Sequence, residues 1–445
     1  MSNTQGNQIT VSKGDYVKYT VSKEGYETVS DWVLMNEDTT INITLKEEEI
    51  IFKFTIDTRL NPEDATDRTF RLPFSINPTE YSNYRLNNMT INWGDGVLQL
   101  LEFNVSEITE EYLLARLDHE YETPGIYQIS IWGVNNAMNP FSFYVNSYKY
   151  NNLKLISLDS SLLKDHITIP NKTDAEIRMK TKIFMNCENL KTIHEDLFKY
   201  HDILYFDIYG AYLDPVDEFG VFRNCKSLQS IPENIFRYNN LRTPINMFMN
   251  CTSLKYVGDI FKTCTFLEDV CGCFQGCENI EKISPNLFAN NTNLKRVGQS
   301  NYSDNWWGIG AGCFYDCKKL TIEQTSETFS TPLFANNTNL TNMARCFYGC
   351  ESLVVADDLF GENMSSIRNQ SNLNFTSFMK RENYIGENKK SVVPELWSIP
   401  LINDDGTEKQ IISDGCFDGA GNNIDTIENY NDIPEEWKVS TEENV

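Results

Sequence analysis

Histidine is nearly missing from this sequence: there are four in 445 residues, at His119, His166, His194 and His201. Metal centres and acid–base sites that draw on imidazole therefore have little to build from. His194 and His201 are seven residues apart, a spacing that suits no common metal site. Basic charge is also scarce, with 38 Lys and Arg against 63 Asp and Glu and a formal net charge of −25 spread along the chain. Binding to phosphate polymers needs clustered cations that release counterions, so this balance disfavours nucleic acid and anionic membrane as partners. Nowhere do eighteen apolar residues run together, so no segment is expected to insert in a membrane as a helix. The opening MSNTQGNQITVSKGD has neither a basic nor an apolar region. The expectation is a chain made without an export leader, whose twelve cysteines remain free thiols in a reducing cytosol.

Catalytic signatures are equally thin. A nucleophile elbow, a P-loop, an HExxH helix and a dinucleotide fingerprint are all missing. A glycosidase needs only two carboxylates, but nothing singles out a pair among 63. The expectation is a protein with no catalytic residues, no cofactor and no metal.

What is present points to folded, modular structure. Apolar residues make up 40% and aromatics 12%, with 26 Phe and 22 Tyr, enough to build cores. The length suggests three or four units. Residues 1–48 alternate β-branched or aromatic with polar residues, as in ITVSKGDYVKYTV and TTINITL, and read as short strands. They resemble the later strands of PEGA-like or bacterial Ig-like modules, which implies a truncated sandwich whose open edge needs cover. Residues 49–150 form a second β-unit, from IIFKFTIDT to FSFYVNSYKY. At its centre are TINWGDG and HEYETPGIY, with Trp93, Gly94, Asp95, Gly96, His119, Tyr121, Pro124, Gly125 and Tyr127 in order. The two motifs resemble the PKD family, an Ig-like sandwich serving mostly as spacer or adhesive unit. Asp95 and His119 could in principle form a catalytic or metal pair. The preferred reading is structural: Asp-Gly closes a turn, Trp93 fills the core, and Pro124 with Gly125 makes the next turn.

An internal repeat dominates residues 151–363. Its unit is Phe, two residues, Cys or Asn, two residues, Leu or Ile, two residues, Ile or Val: FMNCENLKTI from Phe184, FRNCKSLQSI from Phe222, FMNCTSLKYV from Phe248, FKTCTFLEDV from Phe261, FQGCENIEKI from Phe274 and FANNTNLKRV from Phe288. Weaker copies start at Phe314, Phe334, Phe347 and Phe417. Two flavours alternate, "CF-x-x-C" and "LF-x-N-N", so one full turn is expected to span two copies. Each unit can bury its apolar face only against its neighbours. The repeats resemble the BspA-like leucine-rich repeats of bacterial surface proteins and of some bacteriophage proteins. The Cys-x-x-x-Cys pairs Cys273/Cys277, Cys313/Cys317 and Cys346/Cys350 could be read as metal ligands. Zinc sites prefer Cys-x-x-Cys, however, and Asn291 and Asn337 replace Cys without disturbing the repeat, as expected at a packing and hydrogen-bonding position where Cys acts as a small buried apolar side chain. Residues 364–445 read as an insertion followed by a terminal repeat, with Ile433, Pro434 and Trp437 folding over the last coil.

The expected fold is thus mainly β: two small N-terminal β-sandwich (Ig/PKD-like) units, then a leucine-rich-repeat solenoid with short helical turns. Recognition is expected on insertions that leave the repeats. The best candidate is the loop carrying Tyr302, Asp304, Trp306 and Trp307, which either offers an aromatic platform to a sugar or partner, or folds a Trp back over the repeat edge. By analogy of domain type, the expected function is non-enzymatic: a structural and adhesion protein of a bacteriophage virion, in the tail or head. Its partners would be other virion proteins, copies of itself within an assembly, and a host surface glycan or protein. The alternatives are a BspA-type bacterial cell-surface adhesin and a polysaccharide depolymerase.

Overall fold

Alternation of apolar and polar residues forms the first strands, as the period-2 pattern requires. In the computed structural model the described residues are 16–21, 29–34, 51–73, 89–101, 117–133, 143, 151–162, 178–179, 183–199, 205–206, 220–239, 241–298, 312–322, 332–354, 358–380, 392–403, 405–419 and 427–439. The protein is mainly β with few helices. It divides into two compact units, Met1–Ile50 and Ile51–Val445. In the first, β1 (Tyr16–Val21) and β2 (Val29–Leu34) pair antiparallel, Tyr16 opposite Leu34 and Val21 opposite Val29.

The second unit opens with β3 (Phe52–Asp57), β4 (Thr69–Arg71), β5 (Met89–Asn92), β6 (Leu98–Leu101), β7 (Asp118–Glu120) and β8 (Ile126–Trp132). A one-turn helix, α1 (Asn151–Lys154), leads directly into β9 (Leu155–Leu158). Two-residue strands follow: β10 (Arg178–Met179), β11 (Thr192–Ile193), β12 (Tyr205–Phe206), β13 (Tyr256–Val257) and β14 (Lys282–Ile283). Towards the C-terminal end lie β15 (Asn372–Asn374), β16 (Gln410–Ile412) and the short helix α2 (Glu435–Lys438).

One sheet joins the early strands to the repeats. Its order is β11-β9-β3-β8-β5-β6. β3 pairs antiparallel with β8 and β9, while β11, from the first repeat, pairs parallel with β9. The sheet therefore continues past residue 150 without interruption, and Ile51–Val445 is one unit. A second device reinforces the junction. Lys154 is fully buried; its Nζ donates to Asp67 Oδ2 at 2.5 Å and to the Thr69 carbonyl at 2.8 Å, while Asn151 Nδ2 donates to the Arg71 carbonyl at 2.7 Å.

Beyond this junction the Phe residues of the repeat stack in two columns. In the first, Phe184, Phe222, Phe248, Phe274, Phe314 and Phe347 lie 5.4–5.8 Å apart with near-parallel rings. In the second, Phe198, Phe236, Phe261, Phe288, Phe334 and Phe360 lie 5.5–6.1 Å apart. Like flavour stacks on like, so each coil of chain contains one Phe of each column. Insertions do not disturb the spacing: 26 residues separate Phe222 from Phe248 and 40 separate Phe274 from Phe314, yet the ring distances are 5.4 and 5.6 Å. Phe143 links the first column to Phe54 of the sheet, at 6.0 Å from Phe184 and 5.4 Å from Phe54. At the far end Trp437 of α2 stacks on Phe417 at 6.3 Å and touches Trp397 and Phe375, with Ile433 buried beside it.

Candidate functional site

The WGDG and HEYETPGIY segments come together at the end of the β5–β6 hairpin. Trp93 is fully buried, and the left-handed Gly94 and Gly96 turn the chain so that Trp93 N–H reaches the Val97 carbonyl at 3.1 Å. Asp95 Oδ1 accepts the Val97 N–H at 3.0 Å, and its Oδ2 lies 2.7 Å from His119 Nε2. The His119 ring stacks on Trp93 at 4.5 Å and meets Tyr121 edge-on, while the Tyr121 hydroxyl donates to the Trp93 carbonyl at 3.1 Å. Burial pulls the Asp95 carboxyl upward, but the His119 contact and the Val97 N–H outweigh it and hold the group below the usual carboxylate range. Asp95 and His119, weighed as a pair from their motifs, are thus in contact. The pair pins the hairpin to β7. His119 is sandwiched between Trp93, Tyr121 and Asp95, an arrangement that orders the turn.

In the first Phe column the turn chemistry repeats from coil to coil. The second residue after each Phe is left-handed: Asn186, Asn224, Asn250, Gly276, Asp316 and Gly349, with φ between 56° and 71°. Asn, Asp and Gly tolerate that conformation best, which explains their occurrence there. The backbone N–H of each donates to a carbonyl one coil further on, as from Asn250 to Gln275 at 2.7 Å. Side chains repeat the pattern: Asn250 Nδ2 donates to Asn224 Oδ1 at 2.9 Å and Asn224 Nδ2 to Asn186 Oδ1 at 2.7 Å. The run ends at Gly276, whose absent Cβ would sit 2.1 Å from Asn250 Oδ1.

The Cys and Asn at the next position do one job with two chemistries. Cys251 Sγ donates to the Phe222 carbonyl at 3.2 Å, and Cys277 Sγ to the Phe248 carbonyl at 3.1 Å. In the second column Asn291 Nδ2 reaches the Phe261 and Cys264 carbonyls at 3.1 and 2.7 Å, and Asn337 Nδ2 the Phe288 and Asn291 carbonyls at 3.1 and 2.8 Å. Cysteine thus supplies a weak donor as well as packing. All twelve thiols are free and buried. Burial raises those of Cys264 and Cys277 to about 12 and Cys251 well beyond the ordinary range. The native chain should therefore release no equivalents from an aromatic disulfide reagent, and all twelve only in denaturant. Rapid labelling of even one under native conditions would contradict this burial. Among the described residues, no group of three or more His, Cys, Asp or Glu is placed to hold a metal ion.

Tyr302, Asp304, Trp306 and Trp307, the sequence-based candidates for binding, lie outside the described residues. A different surface emerges near the C-terminal end. β15 and β16 pair parallel, with Asn372 opposite Gln410 and Asn374 opposite Ile412, and Asn374 also bridges in parallel to Asn342. Over these strands lies an open groove of about 430 Å3, lined by six carboxamides, from Asn342, Asn369, Gln370, Asn372, Asn374 and Gln410. No lining residue is charged. Asn342 Oδ1 accepts the Ala344 N–H at 3.1 Å and Asn374 Oδ1 the Thr376 N–H at 3.0 Å, which fixes both side chains. Asn369, Asn372 and Gln410 are exposed, and their carboxamides have no hydrogen-bond partner among the described residues.

Comparison of the chain with known protein families, curated proteins and solved structures gives no match. The groove is therefore understood from its own chemistry. Its only sequence signal is the dense RNQSNLN run at 368–374, which lies in the segment taken as an insertion.

Proposed function

We propose that the chain is a non-enzymatic structural and adhesion protein of a bacteriophage virion. In this reading a PKD-like sandwich leads into a BspA-like leucine-rich-repeat solenoid, the N-terminal β-units dock on the particle, and the solenoid faces outward to meet other subunits or the host surface. The observation that carries the reading is the unbroken stack from Phe54 through Phe143 to Phe347, which ties the sheet and the repeats together within one compact unit. Such a body presents surface at a fixed distance from its base, which suits recognition. The twelve unpaired thiols favour assembly in a reducing cytosol over export to a cell surface.

The test is particle composition. The protein should copurify with virions through a density gradient, at constant stoichiometry to the other virion proteins. Deleting residues 1–50, the separate compact unit, should abolish incorporation and leave the melting temperature of the rest within a few degrees. Recovery on the surface of uninfected bacteria would instead support the adhesin alternative, and a truncated chain that still enters particles would remove the docking role of residues 1–50.

A further inference from the structure

We propose that the groove over β15 and β16 is a binding site for an uncharged oligosaccharide. The inference deepens the adhesion reading and rests on it, while its test reads the groove alone.

The lining settles the ligand class by what it offers and what it lacks. A carboxamide presents two donors and an acceptor from one flat group, which suits hydroxyls that both donate and accept. Six such groups converge here, and two, Asn342 and Asn374, are held by their own turns, so little ordering cost falls on binding. Asn369, Asn372 and Gln410 are exposed and unused by the described residues, so they can bond a ligand without breaking a protein hydrogen bond. A charged ligand would find no counter-charge in the lining, and an anionic one would also meet a chain of net charge −25.

Register determines how the groups are arranged. Asn372 and Asn374 are two residues apart on one strand and share a face, while Leu373 between them is buried. Across the pair, Gln410 stands beside Asn372 and Ile412 beside Asn374, at the strand separation of about 4.8 Å. Ile412 is 50% exposed and supplies an apolar patch among the amides. Pyranose rings have that same mixed character, with hydroxyls at the edge and C–H bonds on the face. An extended peptide cannot add to β15, because both edges of that strand are used. Asn374 N–H donates to the Thr341 carbonyl at 2.9 Å on one side, and on the other Gln410 N–H donates to the Ser371 carbonyl at 2.8 Å and Phe375 N–H to the Ile412 carbonyl at 2.7 Å.

The experiment is isothermal titration of the full chain with maltohexaose, chitohexaose, mannohexaose and a dextran oligomer, and with a polygalacturonate oligomer as the anionic arm. The expected result is saturable binding of at least one uncharged oligomer. The Asn372→Ala, Gln410→Ala double variant should bind it at least tenfold more weakly at an unchanged melting temperature, since both side chains are exposed. The inference is overturned if no uncharged oligomer binds at millimolar concentration, if binding survives the double substitution, or if the anionic oligomer binds through the same residues with equal strength. Particle incorporation of the double variant should match the parent. A failed titration beside normal incorporation removes the oligosaccharide site alone, and failed incorporation of the parent removes the virion reading.

Discussion

Replacing Phe248 by alanine should lower the stability of the Ile51–Val445 unit by about 3–5 kcal/mol, the usual cost of emptying a buried aromatic site. The ring is fully buried, with Phe222 on one side at 5.4 Å and Phe274 on the other at 5.8 Å, both nearly parallel to it. Burial of the ring contributes about 2–3 kcal/mol, and each stacked pair adds about 0.5–1.5 kcal/mol. The cavity cannot collapse easily, because backbone bonds from Phe248 N–H to the Cys273 carbonyl and from Phe222 N–H to the Met247 carbonyl fix the coil spacing. Urea denaturation followed by circular dichroism measures the loss. Phe222→Ala combined with Phe248→Ala should cost less than the sum of the single changes, since the two share a contact. Leu401→Ala is the control: with the side chain 65% exposed, a change within about 0.5 kcal/mol is expected. A Phe248→Ala loss below about 1 kcal/mol would mean that the column does not hold the coils together.

Much of this packing was legible in the residues, and the reason is that the Phe-x-x-Cys-x-x-Leu spacing repeats with little variation. Like flavours alternate along the chain, and the structure stacks like on like, so the expected two copies per coil correspond to the two columns. What sequence reading passed over is the position two residues after Phe. It holds Asn, Asn, Asn, Gly, Asp and Gly in the first column, the types that accept a left-handed backbone, but Tyr, Thr, Asn or Glu in the second. That difference separates the columns without any structure. Cysteine was read as a small apolar filler, and its bond to the carbonyl one coil back became visible only in three dimensions, although exchange with Asn was already a hint. Long-range pairings were less legible. The WGDG and HEYETPGIY motifs suggest Asp95 and His119 as a pair but not their contact, and Lys154 and Asp67, 87 residues apart, have no motif or periodicity to connect them. The carboxamide groove was hidden for a related reason, since Asn342, Asn372 and Gln410 come from three separate coils.

The Lys154–Asp67 pair carries the other large expected effect. Lys154→Met should lower stability by about 3–5 kcal/mol, the range for a buried ion pair that loses one partner. Most of that cost comes from the carboxylate left behind: Asp67 is 9% exposed and would keep its charge without the Nζ contact. Burial alone would push the Asp67 carboxyl upward. Hydrogen bonds from Lys154, from Asn61 and from the Thr69 N–H and hydroxyl outweigh it and hold the group well below the ordinary carboxylate range. A depressed folded value means that the contribution is complete above the unfolded pKa of about 4 and is lost as pH falls through that value towards the folded one. The parent chain should therefore lose stability between about pH 5 and pH 2 more steeply than Asp67→Asn, whose side chain does not titrate. Because α1 runs straight into β9, the strand shared by the sheet and the first repeat, loosening this pair should expose β3 and β9 together. Hydrogen exchange of Lys154→Met should accordingly rise in residues 52–57 and 155–158 before it rises in residues 248–288. Uniform faster exchange across all of these segments would show that the pair stabilises the whole unit and not this junction.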